Sequence, residues 1–434
     1  MNSDATTQRS VLIRLSVMMF LQFFAMGAWY VSATGFMLRG DIQMDGLVFA
    51  VYSVGPLAAI FSPFFVGLIA DRFLPTQIAL AILFVISGLL LLVAPSMASP
   101  FSVTPAPDQH WLLERLTILW QSLRHPFVLT LLVHMLCFMP TIALTASISF
   151  QHLGNREKEF PIVRVLGTVG WICGNVAISL LPGKDASALQ FGLAGGSACG
   201  LGLYCFTLPH SPPPRAGKRV TFGEIIGLDS LKLFRSPAFA LFMVAAFLLS
   251  IPQVGYAAFA RSFVEASGVT PFGSATFALA FGQASEIFFM LVMPLCFARL
   301  GIKWMMSIGM TAWVVRYALF AIAAESHSVW MIFGGIVLHG ICFGFFFVTG
   351  MIYVDRKAPP AIRNQAQGFF VLVTQGLGMF VGAQVFGGLE VYAMRDGTMD
   401  WKTLWMAPAL FSAAVTVGFI LLFWDRPTRK TESA

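Results

Sequence analysis

Long apolar runs constrain this chain more than any other feature of its sequence. Twelve runs of roughly 20 residues can be counted, and each is long enough to cross a bilayer as a helix. Only 11% of the residues are charged, whereas a soluble domain carries about 25%. The sequence therefore predicts an all-α membrane protein with twelve transmembrane helices, at about 11–36, 46–70, 77–97, 126–149, 161–181, 187–208, 237–260, 272–298, 303–323, 329–354, 362–389 and 402–424.

A polar segment, residues 209–236, separates the sixth run from the seventh. Its proline run cannot be helical and its basic cluster favours water, so we expect a cytoplasmic linker. The chain is thereby divided into two six-helix bundles, an N-terminal half (residues 1–208) and a C-terminal half (residues 237–434). The loop at 99–126 has one apolar helical face, which predicts a short amphipathic helix on the outer membrane surface, with a gating lid as the alternative.

The 27 lysines and arginines are distributed unevenly between the loops. With the N-terminus in the cytoplasm, 18 fall in segments on that side and 7 on the outer side. The positive-inside rule then places both termini in the cytoplasm. We expect a multi-pass protein of the cytoplasmic (inner) membrane. Because these charges sit in short loops, the net charge of +7 does not suggest nucleic-acid binding. No metal-ligand spacing, catalytic grouping or phosphate-binding loop is recognisable, so we expect neither an enzyme nor a metal site or cofactor.

Five ionisable side chains interrupt the apolar runs, namely His134, Arg164, Glu286, Arg316 and His339. A charge at mid-bilayer costs about 2.5–3.5 kcal/mol on insertion scales, so such residues are candidates for function. Arg164 and Glu286 are the main candidates, and His339 could exchange protons because its ordinary pKa lies near neutrality. Arg316 could instead pair with a backbone carbonyl or a loop acid, and we expect His134 to be a hydrogen-bonded packing residue.

Polar and aromatic residues near these charges could line a cavity between the halves. Gln283 lies one helical turn before Glu286, and Thr168 lies one turn after Arg164. Gln253 adds an amide in the seventh run, and Trp171 follows Thr168 by three residues. Amides and a carboxylate suit the recognition of hydroxyls or a base edge, while aromatic rings suit a planar ligand.

Several segments make the chain resemble the nucleoside:proton symporter family of the major facilitator superfamily. They include FLQFFAMGAWY (20–30), FPIVRVLGTVG (160–170), GQASEIFF (282–289) and PPAIRNQAQG (359–368). The superfamily's loop motif is present as Gly67, Asp71 and Arg72, without the basic residues that usually follow. The resemblance covers most of the chain and implies the major facilitator fold.

The resemblance also implies residue roles. Arg164, Thr168 and Trp171 would form the N-terminal wall of the substrate cavity, opposite polar contacts from Gln253, Gln283 and Glu286. His339 and Phe343 match the pattern of the tenth run, but Gly344 stands where the family carries an aspartate. Tyr256 replaces the asparagine expected near Gln253 and would add an aromatic wall.

These expectations combine into a secondary active transporter that imports nucleosides by proton symport and alternating access. Glu286 would take up a proton on the outer side and release it to the cytoplasm, with His339 as a second proton-coupling residue. The partners would be a nucleoside, protons and the lipid bilayer, and we expect a monomer. The alternatives are a facilitator or symporter of another small polar solute such as a sugar, with weak or no proton coupling, an efflux pump for amphipathic compounds, and a non-transporting solute sensor.

Overall fold

The computed structural model describes residues 2–37, 41–44, 47–65, 73–101, 111–179, 187–213, 228–269, 275–395 and 398–425. The described chain is helical apart from a short antiparallel pair of strands, β1 (Met394–Arg395) and β2 (Thr398–Met399). Ten of its helices are long and apolar enough to cross a membrane. This is the multi-pass architecture that the apolar runs predict. The loop motif of Gly67, Asp71 and Arg72 lies outside the described residues.

The N-terminal half begins with α1 and ends with a single 3₁₀ turn. Its α-helices are α1 (Asn2–Gly27), α2 (Ala33–Met37), α3 (Val48–Phe65), α4 (Thr76–Val93), α5 (Trp111–Ser122), α6 (Pro126–His152), α7 (Arg156–Ser179) and α8 (Leu189–Tyr204). Short 3₁₀ turns at Ala94–Met97 and Cys205–Thr207 extend α4 and α8.

The C-terminal half follows a 3₁₀ segment at Leu228–Arg235. Its α-helices are α9 (Pro237–Ala266), α10 (Ala275–Ser326), α11 (Val329–Val337), α12 (His339–Cys342), α13 (Thr349–Lys357), α14 (Arg363–Val371), α15 (Met379–Ala393) and α16 (Trp401–Leu422). Two π-helical turns, Phe343–Val348 and Leu372–Gly378, join α12 to α13 and α14 to α15. Such turns are rare and are often found at functional sites.

The 52-residue α10 consists of two helices that meet at Gly301. Gly301 has φ 66° and ψ −179°. Any residue with a Cβ atom would be strained in this backbone conformation, whereas glycine adopts it freely. The break falls between the eighth and ninth apolar runs, as the sequence predicts.

Two hydrophobic clusters form the interior. One is built mainly from residues between Leu15 and Leu208, and the other from residues between Ala238 and Phe423. The first cluster also takes in side chains of α10 such as Met290, Met293 and Phe297. The halves therefore meet through apolar side chains along this part of α10, while large exposed apolar residues on the outer faces suit contact with lipid.

In the N-terminal half α1 and α7 approach very closely. A Cβ atom added to Gly170 would lie 2.1 Å from the carbonyl oxygen of Phe20, and one added to Gly174 would lie 2.5 Å from that of Phe24. Small residues allow such contact between membrane helices. This packing holds α7, which carries three of the candidate site residues, directly against α1.

The loop before α6 contains the predicted helix, which is α5. Leu119 is buried and Trp120 is 61% exposed, with the Arg124 guanidinium carbon 4.9 Å from the Trp120 ring centroid. Ser122, at the end of α5, is fully buried. The following residue pair turns the chain, and His125 caps α6 by accepting a hydrogen bond from the Phe127 N–H at 3.3 Å.

Candidate functional site

Glu286 lies at the junction of three helices and joins the two halves. It is 6% exposed, and its Oε1 accepts a hydrogen bond from the Thr168 hydroxyl at 2.7 Å. Its Oε2 lies 3.5 Å from Nε2 of His339. Because α7 supplies Thr168 while α10 and α12 supply Glu286 and His339, the buried carboxylate contacts both halves at once.

Arg164 lies one turn before Thr168 on α7 and is 7% exposed. Its guanidinium carbon is 4.2 Å from the ring centroid of Phe23 and 5.4 Å from that of Phe343. Aromatic faces stabilise a desolvated cation through their quadrupole. They do not accept its hydrogen bonds, however, and Nη1 of Arg164 is buried without a hydrogen-bond partner in the described part of the chain.

The imidazole of His339 is stacked between aromatic rings. The ring centroid of Tyr256 is 5.4 Å away at an interplanar angle of 20°, and that of Phe343 is 6.5 Å away at 21°. The next residue, Gly340, donates its N–H to the Ser285 hydroxyl at 3.1 Å, which ties α12 to α10 beside Glu286. These contacts fix the imidazole in position opposite the carboxylate.

Arg316 is fully buried behind Tyr256. Its guanidinium carbon is 3.8 Å from the Tyr256 ring centroid, and its Nε donates to the carbonyl oxygen of Gly335 at 3.0 Å. Arg316 thus pairs with a backbone carbonyl, which is the first of the two pairings that the sequence allowed. Nη1 and Nη2 of Arg316 are both buried and have no hydrogen-bond partner among the described residues.

The other sequence candidates surround this group less directly. Trp171 is half-buried, with its ring centroid 6.4 Å from that of Tyr30, which lies in the turn between α1 and α2. Gln283 is half-buried one turn before Glu286 on α10. Gln253 is half-buried on α9, and its Oε1 is buried with no hydrogen-bond partner within the described ranges.

His134 is a packing residue, as expected from the sequence. Its Nδ1 lies 2.9 Å from the hydroxyl and 3.0 Å from the carbonyl oxygen of Ser87. Its ring contacts Trp29 edge to face at 5.3 Å. The histidine therefore joins α4 to α6 within the N-terminal half and does not contribute to the Glu286 group.

A network of ion pairs joins the halves at the end of the molecule where α6 ends and α14 begins, and sequence reasoning missed it. Arg156 at the start of α7 donates to Oδ2 of Asp355 at 2.5 Å, and Nε of Arg363 lies 2.7 Å from Oδ1 of the same carboxylate. Arg356 pairs with Glu157, and the Ser147 hydroxyl donates to Asn364. We call these residues the ion-pair end.

An open depression of about 530 Å³ lies near the hairpin formed by β1 and β2. Its charged side chains pair with one another, Lys402 with Glu325 at 2.6 Å and Arg395 with Asp400 at 3.6 Å. Exposed pairs of this kind are common on protein surfaces and contribute little energy. The buried group around Glu286 is therefore the better candidate for a functional site.

The fold and this buried polar group define a membrane transporter of the major facilitator type. The proton:xylose symporter XylE has a similar structure, with a TM-score of 0.67 and 14% identity over 96% of this chain and 97% of that chain. That likeness concerns the fold alone.

Sequence comparison assigns the chain to one family of such transporters. A family model described as nucleoside H⁺ symporter matches residues 9–105 and 119–428, and the chain belongs to this family. YegT of Escherichia coli strain K12 is 34% identical over 94% of this chain and 93% of its own length, and the xanthosine permease of the same strain is 30% identical over 95% and 96%. The crystal structure of the nucleoside transporter NupG gives a TM-score of 0.66 at 27% identity, over 96% of this chain and 100% of that chain.

Proposed function

We propose that the protein imports nucleosides together with protons across the cytoplasmic membrane. The observation that carries this proposal is the buried Glu286, which accepts a hydrogen bond from Thr168 of the other half and faces His339. A carboxylate in such a position is costly to retain unless it is used. Membership of the nucleoside H⁺ symporter family and the likeness to a xanthosine permease and to the nucleoside transporter NupG support a nucleoside as the solute.

In this proposal the chain crosses the membrane twelve times. The span Ala278–Ser326 has 49 residues, about 70 Å at 1.5 Å per residue, which is about twice the thickness of the bilayer hydrocarbon. Counting it as two helices separated at Gly301, and adding the 18-residue α3, extends the ten candidate spans to twelve. Both termini and the ion-pair end then lie in the cytoplasm, and the protein acts as a monomer.

The two halves, residues 1–208 and 237–434, would rock about the Glu286 group. Protonation of Glu286 removes a buried charge and changes which contacts with Thr168 and His339 are favourable. A proton can drive a conformational change only if it binds the two conformations with different affinity. Contacts from both halves to one carboxylate meet that requirement, because opening the structure separates Thr168 from Glu286. The loop motif of Gly67, Asp71 and Arg72 stays a predicted conformational element.

The solute would lie between α7 and the α10–α12 region. Arg164, Gln253 and Gln283 would hydrogen-bond its polar groups, and the rings of Trp171, Tyr256 and Phe343 would contact its base. Nucleosides offer both hydroxyls and a flat ring, so they match this mixture of groups. A sugar offers only the hydroxyls and would leave the aromatic rings without a planar partner.

The test is uptake of labelled uridine and inosine into proteoliposomes with and without an inwardly directed proton gradient. Wild-type protein should accumulate nucleoside above the equilibrium level only with the gradient. Glu286→Gln should lose gradient-driven accumulation and retain some exchange of nucleoside, whereas Glu325→Gln, which changes an exposed carboxylate, should behave as wild type.

The outcomes separate the parts of the proposal. Full gradient-driven uptake by Glu286→Gln would remove Glu286 from proton coupling. Equal uptake with and without the gradient in the wild-type protein would indicate a facilitator that is not coupled to protons. Uptake of xylose but not of either nucleoside would overturn the nucleoside assignment.

A further inference from the structure

Arg316 is a buried charge that has no role in the proposed transport cycle. Its side chain is fully buried, and no carboxylate forms a salt bridge with it among the residues described. Its Nε donates to the Gly335 carbonyl, whereas Nη1 and Nη2 have no hydrogen-bond partner in the described part of the chain. Replacing a buried ion by an apolar side chain of similar size is often neutral or stabilising. Stability therefore does not account for an arginine at this position, and a functional role does.

The guanidinium of Arg316 closes one end of a column of stacked rings. Its carbon lies 3.8 Å from the ring centroid of Tyr256. The Tyr256 ring stacks on His339 at 5.4 Å, and the His339 ring stacks on Phe343 at 6.5 Å. The guanidinium carbon of Arg164 lies 5.4 Å from the Phe343 centroid. His339 is thus the middle ring of three, and an arginine contacts each of the outer rings.

The backbone beside His339 is also held by side chains of α10. The helix breaks directly before His339, where α11 ends and α12 begins. Before the break, the Gly335 carbonyl accepts a hydrogen bond from Nε of Arg316 at 3.0 Å. After the break, the Gly340 N–H donates to the Ser285 hydroxyl at 3.1 Å. Arg316 therefore supports both the backbone on one side of the imidazole and the ring on which the imidazole stacks.

The two arginines of the column belong to different halves of the chain. Arg164 lies on α7, so its contact with Phe343 is lost when the halves separate at the site. Arg316, Tyr256 and His339 all lie in the C-terminal half, and their contacts do not depend on how the halves are oriented. Arg316 is consequently the arginine that can keep the imidazole beside Glu286, now 3.5 Å away, in both orientations.

We infer that Arg316 is a positioning residue for proton coupling, which holds His339 opposite Glu286 through the Tyr256 ring and the Gly335 carbonyl. This inference rests on the proposed function and extends it to a residue outside the solute site. The ionisable groups around the imidazole are, by helix, Glu286 and Arg316 on α10, Tyr256 on α9, Cys342 on α12 and Arg164 on α7. Glu286 and Tyr256 contact the imidazole directly, and the two arginines act across one intervening ring.

The test is the pH profile of gradient-driven uridine uptake into proteoliposomes. Arg316→Met replaces the guanidinium by an unbranched apolar side chain. It should move the profile in the same direction as His339→Ala, by about one pH unit, the size that loss of a buried cation–π contact can cause. Because Arg316 acts through the imidazole, Arg316→Met added to His339→Ala should cause no further shift.

Trp405→Phe is the matched control for a general loss of packing. Trp405 is fully buried in the same half, and its ring packs on Tyr317 and Phe320 outside the column. Trp405→Phe should lower the melting temperature without moving the pH profile.

Two measurements on the purified variants do not depend on transport. Arg316→Met should melt at or above the temperature of the wild type, because it removes an incompletely paired buried ion. In protein with isotope-labelled histidine, the NMR signal of His339 is the one absent from His339→Ala. This signal should move in Arg316→Met and stay in place in Trp405→Phe, because only the former loses the support of the ring stacked on the imidazole.

An unmoved pH profile in Arg316→Met would overturn the inference, and in a variant that no longer transports an unmoved His339 signal would do so. A shift that persists in the His339→Ala background would overturn it too, since Arg316 would then act on another group. A melting temperature of Arg316→Met well below that of the wild type would show that the arginine is kept for stability.

The remaining outcomes separate the inference from the proposed function. An unmoved profile in His339→Ala would remove the imidazole from coupling and the inference with it, while proton-coupled import through Glu286 would stand. Wild-type uptake that does not respond to the proton gradient would instead overturn the proposed function.

Discussion

Asp355 is held by arginines from both halves of the chain, and its replacement by asparagine should favour the alternative conformation. Arg363 belongs to the same half as Asp355, so this contact persists whichever way the halves are oriented. Arg156 belongs to the N-terminal half, and its contact with Asp355 is lost when the ion-pair end opens. Of the two contacts that Asp355 makes, only the one with Arg156 therefore contributes to the difference in free energy between closed and open conformations.

The size of the effect follows from the geometry of that contact. The atoms are 2.5 Å apart and the Asp355 side chain is fully buried, which is the situation in which a hydrogen bond to a charged group contributes about 1.5–3 kcal/mol. The Arg156 side chain is 34% exposed, so solvent screening reduces the contribution toward the lower value. We expect about 1.5 kcal/mol, which corresponds to about a tenfold shift of the equilibrium toward the open conformation.

Hydrogen–deuterium exchange read by mass spectrometry measures this shift without added labels. In Asp355→Asn the amides of residues 147–156 and 363–371 should exchange up to about tenfold faster, because exchange follows the population of the open form. The matched control is Glu325→Gln, which removes the exposed pair with Lys402 inside the C-terminal half. Exchange in the two segments should not change in this control.

Unchanged exchange in Asp355→Asn would refute the reasoning that the contact with Arg156 stabilises closure. An equal increase in Glu325→Gln would refute it too, since the effect would then come from general loss of stability. An increase spread over all helices of Asp355→Asn would point to unfolding of the C-terminal half.

Three further predictions concern packing, proton coupling and pH. Gly170→Ala should lower the free energy of unfolding by about 1–3 kcal/mol, because its Cβ would overlap the Phe20 carbonyl oxygen. Gly192→Ala is the control, since its Cβ would have no neighbouring atom within 4 Å and should cause no such loss. Equal melting temperatures of the two variants would contradict this prediction. His339→Ala should shift the pH profile of nucleoside uptake if the imidazole takes part in coupling, and an unmoved profile would end that role. Hydrogen bonds from the backbone N–H and the hydroxyl of Thr403 hold the pKa of Asp400 below its ordinary value. The capping of α16 by Asp400 therefore contributes fully to the free energy of unfolding above about pH 4, and this contribution is lost as the pH falls through the lower pKa of the folded protein. The difference in melting temperature between wild type and Asp400→Asn should accordingly be larger at pH 6 than at pH 2.5, and a difference independent of pH would contradict the assignment.

The membrane architecture and the main site candidates could be predicted from the sequence because both depend on a difference in polarity between neighbouring residues. Apolar runs stand out from polar loops, and Glu286 and Arg164 stand out within the runs. The same contrast is missing for Phe23 and Tyr30, which approach Arg164 and Trp171 but are two aromatic residues among many. Periodicity alone does not tell a site aromatic from one that packs in the core or faces lipid.

The ion-pair end was missed for a different reason. Asp355 and Arg156 each lie near a loop, where charged residues are ordinary, and 199 positions separate them in the sequence. Their pairing depends on how the halves meet, which no local pattern encodes. The π-helical turn at Phe343–Val348 was also unpredicted, because the six residues that form it carry no polar side chain and give no sign of an extra residue in the turn.

The contact between α1 and α7 has a consequence for the evolution of specificity. The two backbones touch where Gly170 and Gly174 lie, so α7 has no freedom to tilt or shift without moving α1. The opposite side of the site includes the π-helical turn that begins at Phe343, and it can change its local geometry at lower cost. Mutations that widen the range of accepted solutes should consequently accumulate in α11–α15, while the backbone of α7 keeps its position against α1.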